Sequence, residues 1–170
     1  MDQKHQRWVA AVGLGVGGAL GMAGTFAPTD ALRGLAWGID GGSLVIASAV
    51  LAVMQMRNGR DLQAAGFLVF AIGQGLVLST AAVNPADAAP TFGAGVGLWA
   101  AGLALVSAPK GYPVVVRLLG FAASILLAIV AIQIFLGVHI DAKSSPLPFF
   151  AYPVLVATML GWIWSLLREK

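Results

Sequence analysis

The sequence predicts an all-helical (all-α) membrane protein whose six helices each cross the bilayer. Three observations support this prediction. The 170 residues are 59% hydrophobic and only 10% charged, whereas a water-soluble domain carries about 25% charged residues. Six long apolar segments follow one another, separated by short polar breaks. The segments lack period-two alternation, so they favour helices, which satisfy their backbone hydrogen bonds within hydrocarbon.

Each segment approaches the length of about 20 residues that a helix needs to cross a bilayer. We expect the helices in segments 8–26, 32–56, 62–83, 92–108, 114–138 and 149–167. The breaks between them have turn chemistry and read "APTDALRG" (27–34), "RNGRD" (57–61), "NPADAAP" (84–90), "PKGYP" (109–113) and "HIDAKSSPLP" (139–148). The whole chain, 1–170, is interpreted as a single membrane domain.

Lysine and arginine predict the orientation of these helices. If the six segments alternate in direction, eight of the ten cations fall on one side of the membrane, and only Arg33 and Lys143 fall on the other. Cytoplasmic loops carry an excess of Lys and Arg, so we expect both termini in the cytoplasm and the chain in the inner membrane. The sequence pI of about 9.7 therefore reflects topology. The cations form no dense patch, which argues against a nucleic-acid partner.

The six segments also group into three helical hairpins of similar length, at 8–60, 61–112 and 113–170. Each hairpin starts and ends on the same side of the membrane. We therefore interpret them as parallel repeats related by an axis along the membrane normal.

The residue inventory argues against an enzyme. The chain has no cysteine and two histidines far apart in sequence, so no metal site, cofactor site or catalytic constellation stands out. The stretch "GLGVGG" (13–18) matches G-x-G-x-x-G, but a dinucleotide site needs a preceding strand, and this stretch lies inside an apolar helical segment. Glycines spaced four apart indicate close helix packing, although they are also compatible with the lining of a narrow lumen.

Asp40 is the one acidic residue well inside an apolar segment, about two turns into the second helix. An ionised carboxylate facing lipid costs a few kcal/mol, roughly 3 on insertion scales. Three interpretations remain open. Asp40 lies in a wet vestibule near the interface, or it is a proton-linked or substrate-gating group, or it pairs with Arg33, two helical turns away.

Other polar side chains within the segments are candidates for a transport pathway. Gln74 and Gln133 are costly in a membrane if unpaired, so we expect both to face the protein interior. Ser79 is a further candidate, although most single hydroxyl groups in helices bond to their own backbone. Tryptophans and tyrosines cluster near helix ends, which is typical of the interfacial aromatic belt; Trp99 is the exception.

Several short motifs recur along the chain: a Gly-Gly pair at the start of an apolar run, a basic residue before a glycine in two turns, and a Gly-Leu-Trp triplet. Their positions are Gly41, Gly42, Arg57, Gly59, Phe67, Phe70, Gly97, Leu98, Trp99, Lys110, Gly111 and Gln133. These motifs resemble those of the acetate and succinate uptake transporters, which are small six-helix bacterial membrane proteins. The resemblance covers about residues 38–135; the family's opening motif is absent, and "VAAVGLGVGG" stands in its place.

The resemblance implies a bundle with a pore through each protomer and assembly as a hexamer, a plan shared with urea channels. It implies Phe70 as a constriction residue and Gln133 as a lumen residue. Phe67, one turn before Phe70, is an alternative for the constriction. The solute it implies is a short-chain monocarboxylate such as acetate, or its protonated form.

We therefore expect a channel or transporter for a small solute, with Asp40, Phe67, Phe70, Gln74, Ser79 and Gln133 along its pathway. The competing expectation is a structural or accessory subunit that packs against a larger membrane complex and transports nothing. A continuous polar path through the interior favours the first, and a dry, filled interior favours the second.

Overall fold

The computed structural model describes residues 2–80, 85–140 and 150–168, which form six α-helices and no strand. All six helices are long and apolar enough to cross a membrane, which confirms the prediction of an all-helical chain with six candidate spans. Most of the predicted break 139–148, including Lys143, lies outside the described residues. The helices are α1 (Gln3–Thr25), α2 (Asp30–Arg57), α3 (Asp61–Ser79), α4 (Pro85–Ser107), α5 (Val114–Phe135) and α6 (Ala151–Arg168).

Local sequence explains where several helices begin. The side chain of Thr29 accepts a hydrogen bond from the Leu32 amide at 3.2 Å and caps the start of α2. Acidic residues lie in the first turns of α2, α3 and α4, where they interact favourably with the helix dipole. Helix α4 begins at Pro85 rather than at residue 92, because proline is tolerated in the first turn of a helix.

Glycines explain where α2 and α5 end. Gly59 and Gly137 both have positive φ angles, of 66° and 84°, which residues with a Cβ rarely adopt. In each case the glycine amide and the following amide bond back to carbonyls of the last helical turn, a Schellman motif. Helix α5 therefore stops at Phe135, before the end of the predicted segment at residue 138.

The helices form a closed ring in sequence order. Each helix packs on its neighbours in the chain, and α6 closes the ring by packing on α1. Among the described residues, no helix backbone packs on another across the ring. Helix α6 packs less extensively on α1 and α5 than the first five helices pack on one another, although it is about as long as α3.

Neighbouring helices are antiparallel, as the contacts of α1 with α2 show. A Cβ built at Gly13 would lie 2.9 Å from the Ala47 Cβ, and Gly24 lies against Trp37, so residue numbers rise along α1 as they fall along α2. Both termini therefore lie at one end of the ring, with the connections 58–60 and 108–113. We call this end the N/C end and the other end the far end.

Helices α3 and α4 make a close backbone contact. A Cβ at Gly66 would lie 2.8 Å from the Gly102 carbonyl oxygen, and one at Gly73 would lie 2.7 Å from the Gly95 carbonyl oxygen. Four glycines thus allow the two helix backbones to touch, as expected for small residues at a membrane helix interface.

The ring is apolar outside and carries its buried polar side chains inside. Large hydrophobic side chains are exposed on α1, α2, α3, α5 and α6, with Leu118, Ile125 and Ile132 of α5 more than half exposed. In contrast, Asp40, Ser48, Gln55, Gln63 and Gln74 are all less than 9% exposed. A soluble bundle has the reverse arrangement, so the structure is that of a multi-pass membrane protein.

Candidate functional site

Aromatic rings fill the middle of the ring of helices. Phe67 and Phe70 of α3 and Trp162 of α6 are at most 1% exposed, although α3 and α6 lie on opposite sides. The ring centroids of Phe67 and Trp162 are 5.0 Å apart and those of Phe70 and Trp162 are 6.3 Å apart, both in edge-on geometry. We call the cluster of Phe67, Phe70, Trp99, Tyr112 and Trp162 the aromatic plug.

Two further members join the plug from the α4 side. Trp99 of α4 stacks on Phe70 with centroids 5.9 Å apart and planes inclined by 20°. Tyr112 lies in the connection between α4 and α5, and its ring centroid is 6.4 Å from that of Trp162. Residues of α3, α4, α6 and this connection therefore meet across the interior and fill it at this level, which is the arrangement expected of an accessory subunit.

At the N/C end, a group of glutamines borders the plug. The Gln55 side-chain amide donates to the Tyr112 hydroxyl oxygen at 3.2 Å, which fastens the 108–113 connection to α2. Gln63 is fully buried, and its amide donates to the Val106 carbonyl oxygen at 3.5 Å. The Gln63 Oε1 atom has no hydrogen-bond partner among the described residues.

Towards the far end, Asp40 of α2 faces Tyr152 of α6 across α1. A Cβ at Gly21 of α1 would overlap the Tyr152 hydroxyl group and lie 3.0 Å from Asp40 Oδ2. The hydroxyl group is within hydrogen-bonding reach of the carboxylate. However, neither the Tyr152 hydroxyl nor Asp40 Oδ1 completes a hydrogen bond of ordinary distance and angle within the described part of the chain.

The position of this pair follows from the topology of the ring. Helices α2 and α6 flank α1 on either side and do not pack on each other. Their side chains can meet over Gly21 only because this glycine has no side chain. The resulting contact between Asp40, which is 7% exposed, and Tyr152 links α6 to α2 where the ring closes.

Three more polar atoms are buried without partners between these two regions. They are Gln74 Oε1 of α3, Ser48 Oγ of α2 and Trp99 Nε1 of α4, none of which has a hydrogen-bond partner among residues 2–80, 85–140 and 150–168. Ser48 lies eight residues beyond Asp40 along α2, about 12 Å at 1.5 Å per residue. The interior therefore carries unpaired polar groups on several helices.

The structure does not pair Arg33 with Asp40. Instead, the Arg33 guanidinium forms an ion pair with Asp30 and donates to the Ala27 carbonyl oxygen at 3.1 Å. It also lies 6.0 Å from the centre of the Trp37 ring. These contacts hold Arg33 at the far end, where α2 begins.

The six pathway candidates lie in different environments. Phe67 and Phe70 meet in the aromatic plug, Gln74 is 2% exposed, and Asp40 lies at the closure of the ring. Ser79 is exposed, and its hydroxyl donates to the Leu76 carbonyl oxygen of its own helix at 2.7 Å. Gln133 is half-buried in the last turn of α5, towards the far end.

Tyr152 and Trp162 were not predicted as interior residues, since both lie towards the ends of α6, where aromatic residues are typical of the interfacial belt. Gln63 was missed because it lies next to the polar break 57–61. One feature of the sequence did indicate a buried tryptophan in α6. Trp162 and Trp164 are two residues apart, so they lie on nearly opposite faces of the helix and do not both face lipid. Trp162 is buried, whereas Trp164 is 45% exposed.

Within the described residues, no group of three or more His, Cys, Asp or Glu side chains could hold a metal ion. Comparisons of the chain with protein-family models, with curated proteins and with solved structures find no match. The function is therefore inferred from the geometry of the ring.

Proposed function

We propose that this chain forms a passage for a small solute across the inner membrane, with both termini in the cytoplasm. One observation carries this proposal: a closed ring of helices that is apolar outside encloses buried polar atoms with no hydrogen-bond partner among the described residues. Polar groups in a membrane interior are costly without partners and commonly mark solute pathways. The excess of Lys and Arg at the N/C end supports the orientation.

The passage runs along the axis of the ring and is closed in this conformation by the aromatic plug. From the far end, a solute meets Asp40, then the Gln74 amide, and then the rings of Phe70, Phe67 and Trp162. Amide, hydroxyl and indole groups replace the water around the solute as it moves. Opening requires the plug to separate, and α6, which carries Trp162 and packs least on its neighbours, is the helix that moves.

The resemblance noted in the sequence makes a short-chain monocarboxylate such as acetate the first solute to test. When it is ionised, the Asp40 carboxylate at the far end repels anions, which favours passage of this solute as the neutral acid. The same resemblance supports a homo-oligomer, a hexamer, with one passage in each protomer. The three hairpins 8–60, 61–112 and 113–170 then form parallel repeats around each passage.

A structural or accessory subunit is the second candidate, and the aromatic plug is the observation that favours it. Buried aromatic rings that pack between α3 and α6 also stabilise a rigid bundle. In this alternative the plug never opens, and the polar atoms at Asp40 and Gln74 have no role in transport.

A flux screen in proteoliposomes separates the two candidates. The purified chain is reconstituted and tested with small acids, urea, ammonium, methylammonium and glycerol, with and without a proton gradient. Protein-free vesicles and vesicles with the Gln74→Leu variant serve as controls. Flux of at least one solute that requires Gln74 supports a passage, whereas rates equal to those of protein-free vesicles for every solute support the accessory subunit.

A further inference from the structure

A groove lies on the outer surface of the ring between α1 and α2, towards the N/C end. It has a volume of about 360 Å³ and is lined by Trp8, Val9, Val12, Gly13, Ser43 and Ile46. Gly13 forms its floor, because this glycine lies against Ala47 where the two helices touch. Trp8, Val12 and Ile46 form its walls, and each of these side chains is more than half exposed.

We propose that this groove holds an acyl chain of an anionic phospholipid, whose headgroup lies between Lys4 and Arg57 in the leaflet at the N/C end. The proposal concerns the outer surface of the ring and is independent of any passage through its interior. Such a site needs a groove that admits an acyl chain, cations for the headgroup, and a separation between the two that matches one leaflet of the bilayer.

The walls of the groove suit an acyl chain better than another helix. Helices pack closely in membranes through small residues on an open face. Here Trp8, Val12 and Ile46 project beside the groove and hold a second helix backbone away from its floor. A flexible chain of methylene groups lies between these side chains and contacts both walls.

Two cations lie above the groove, one on each of its helices. Arg57 comes eleven residues after Ile46, which is about three turns, so both lie on the same face of α2. Lys4 comes one turn before Trp8 on the same face of α1. Because α1 and α2 are antiparallel, the first turn of α1 lies beside the last turn of α2. The two cations are therefore at the same level.

Both cations are available to a ligand. Lys4 and Arg57 are exposed, and neither has an ion-pair partner among the described residues. Asp2, a carboxylate at the same end, is engaged by His5, with Oδ2 and Nδ1 3.7 Å apart. Each Lys or Arg near a membrane surface strengthens the attraction of anionic lipids, so the pair favours a headgroup with a net negative charge.

The separation between the cations and the groove matches one leaflet. At 1.5 Å per residue, Arg57 lies about 16 Å from Ile46 along α2, and the hydrocarbon of one leaflet is about 15 Å deep, half of the bilayer core. A lipid whose headgroup contacts Arg57 therefore places the end of its chain in the groove. Trp8 lies between these two levels, near the interfacial position that tryptophan favours.

Lipid binding to the purified, delipidated full chain in detergent tests the site. Native mass spectrometry counts bound lipids, and thermal unfolding measures their effect on stability. Dioleoyl phosphatidylglycerol is expected to raise the midpoint by about 3–6 °C at about ten times its dissociation constant. Dioleoyl phosphatidylcholine is expected to bind about fivefold more weakly or less. Glycerol phosphate, which has the headgroup charge without the chains, is expected to give no shift.

Three variants locate the site. Arg57→Gln removes one cation and is expected to weaken phosphatidylglycerol binding about fivefold. Ser43→Leu fills the groove, keeps both cations and is expected to weaken the binding of both lipids. Lys110→Gln is the matched control, because it removes an exposed cation at the same end of the ring but between α4 and α5, and it should leave binding unchanged. If Ser43→Leu does not fold, the contrast between Arg57→Gln and Lys110→Gln still tests the site.

Four results would overturn the inference: equal binding of the two lipids, a shift with glycerol phosphate as large as with phosphatidylglycerol, equal effects of Arg57→Gln and Lys110→Gln, or unchanged lipid binding in Ser43→Leu. The last result, together with a change in the oligomer mass, would assign the groove to a second copy of the chain. Solute flux is not a readout of this experiment, so the lipid site and the passage fail separately.

Discussion

The indole of Trp162 meets the ring of Phe67 edge-on, with centroids 5.0 Å apart and planes inclined by 71°, although the two residues belong to opposite helices of the ring. This contact is the shortest of the four ring contacts that join the aromatic plug. It connects α6, the helix with the least extensive packing, to α3 across the interior.

We predict that Trp162→Ala opens the passage. The change removes two edge-on contacts, each worth about 0.5–1.5 kcal/mol, and should shift the balance towards the open conformation about tenfold or more. Solute flux into proteoliposomes measures the effect. Trp164→Ala is the matched control, because Trp164 lies two residues away, is 45% exposed and stacks on Arg168; it should leave flux unchanged. Equal flux for the two variants would contradict a gating role for the plug.

Gln74→Leu should raise stability and lower flux. The Gln74 Oε1 atom is buried without a partner in the described part of the chain. Leaving such a group unsatisfied costs about 1–3 kcal/mol, so leucine should raise the unfolding midpoint. The same change removes a hydrogen-bonding group from the passage. Ser79→Ala, at an exposed position on the same helix, should change neither quantity. A loss of stability in Gln74→Leu would mean that the amide has a structural role.

Glycine substitutions on neighbouring helices should have opposite effects on stability. A Cβ at Gly102 would lie 2.8 Å from the Gly66 carbonyl oxygen and 2.9 Å from the Phe70 amide nitrogen, so Gly102→Ala should cost about 1–3 kcal/mol through overpacking. A Cβ at Gly75 would meet nothing within 4 Å, so Gly75→Ala should gain up to about 1 kcal/mol of helix propensity. Thermal unfolding in detergent measures both, and similar shifts would argue against the close contact between α3 and α4.

The orientation can be tested with single cysteines, since the chain has none of its own. Pro28 and Asn58 are exposed at the far end and the N/C end, respectively. With the termini in the cytoplasm, a membrane-impermeant maleimide should label Pro28→Cys in intact cells and should label Asn58→Cys only after permeabilisation. The reverse pattern would invert the topology and place the aromatic plug nearer the outer surface.

The sequence predicted the six helices because hydropathy alone determines which segments can cross a bilayer. The helix ends were predicted less well, since Gly137 ends α5 early through its positive φ angle and Pro85 starts α4 early. Asp40 stood out as a charge in an apolar run. Its partner Tyr152 did not, because an aromatic residue near a helix end is ordinary, and only the closure of α6 on α1 brings the two together.

The sequence did not reveal which side chains of each helix point into the interior of the ring. Phe67, Phe70 and Gln74 were identified as interior candidates, and all three are buried. Ser79 was grouped with them because the sequence does not distinguish an inward-facing hydroxyl group from an exposed one. Its side chain is exposed and donates a hydrogen bond to a carbonyl oxygen of its own helix. Trp162 was missed because it lies towards the C-terminal end of α6, and Gln63 because it follows the polar break 57–61. The burial of each depends on helices distant in sequence.

The closure of the ring by α6 has a consequence for biosynthesis. Helices leave the ribosome in order, so α1 to α5 enter the bilayer before the residues that complete the circle. During that interval the nascent chain is an open crescent, and the cleft beside α1 presents the carboxylate of Asp40 to lipid or to the insertion machinery. A nascent chain truncated before residue 151 would keep this polar group exposed, which gives cellular quality control a feature by which to recognise the incomplete protein.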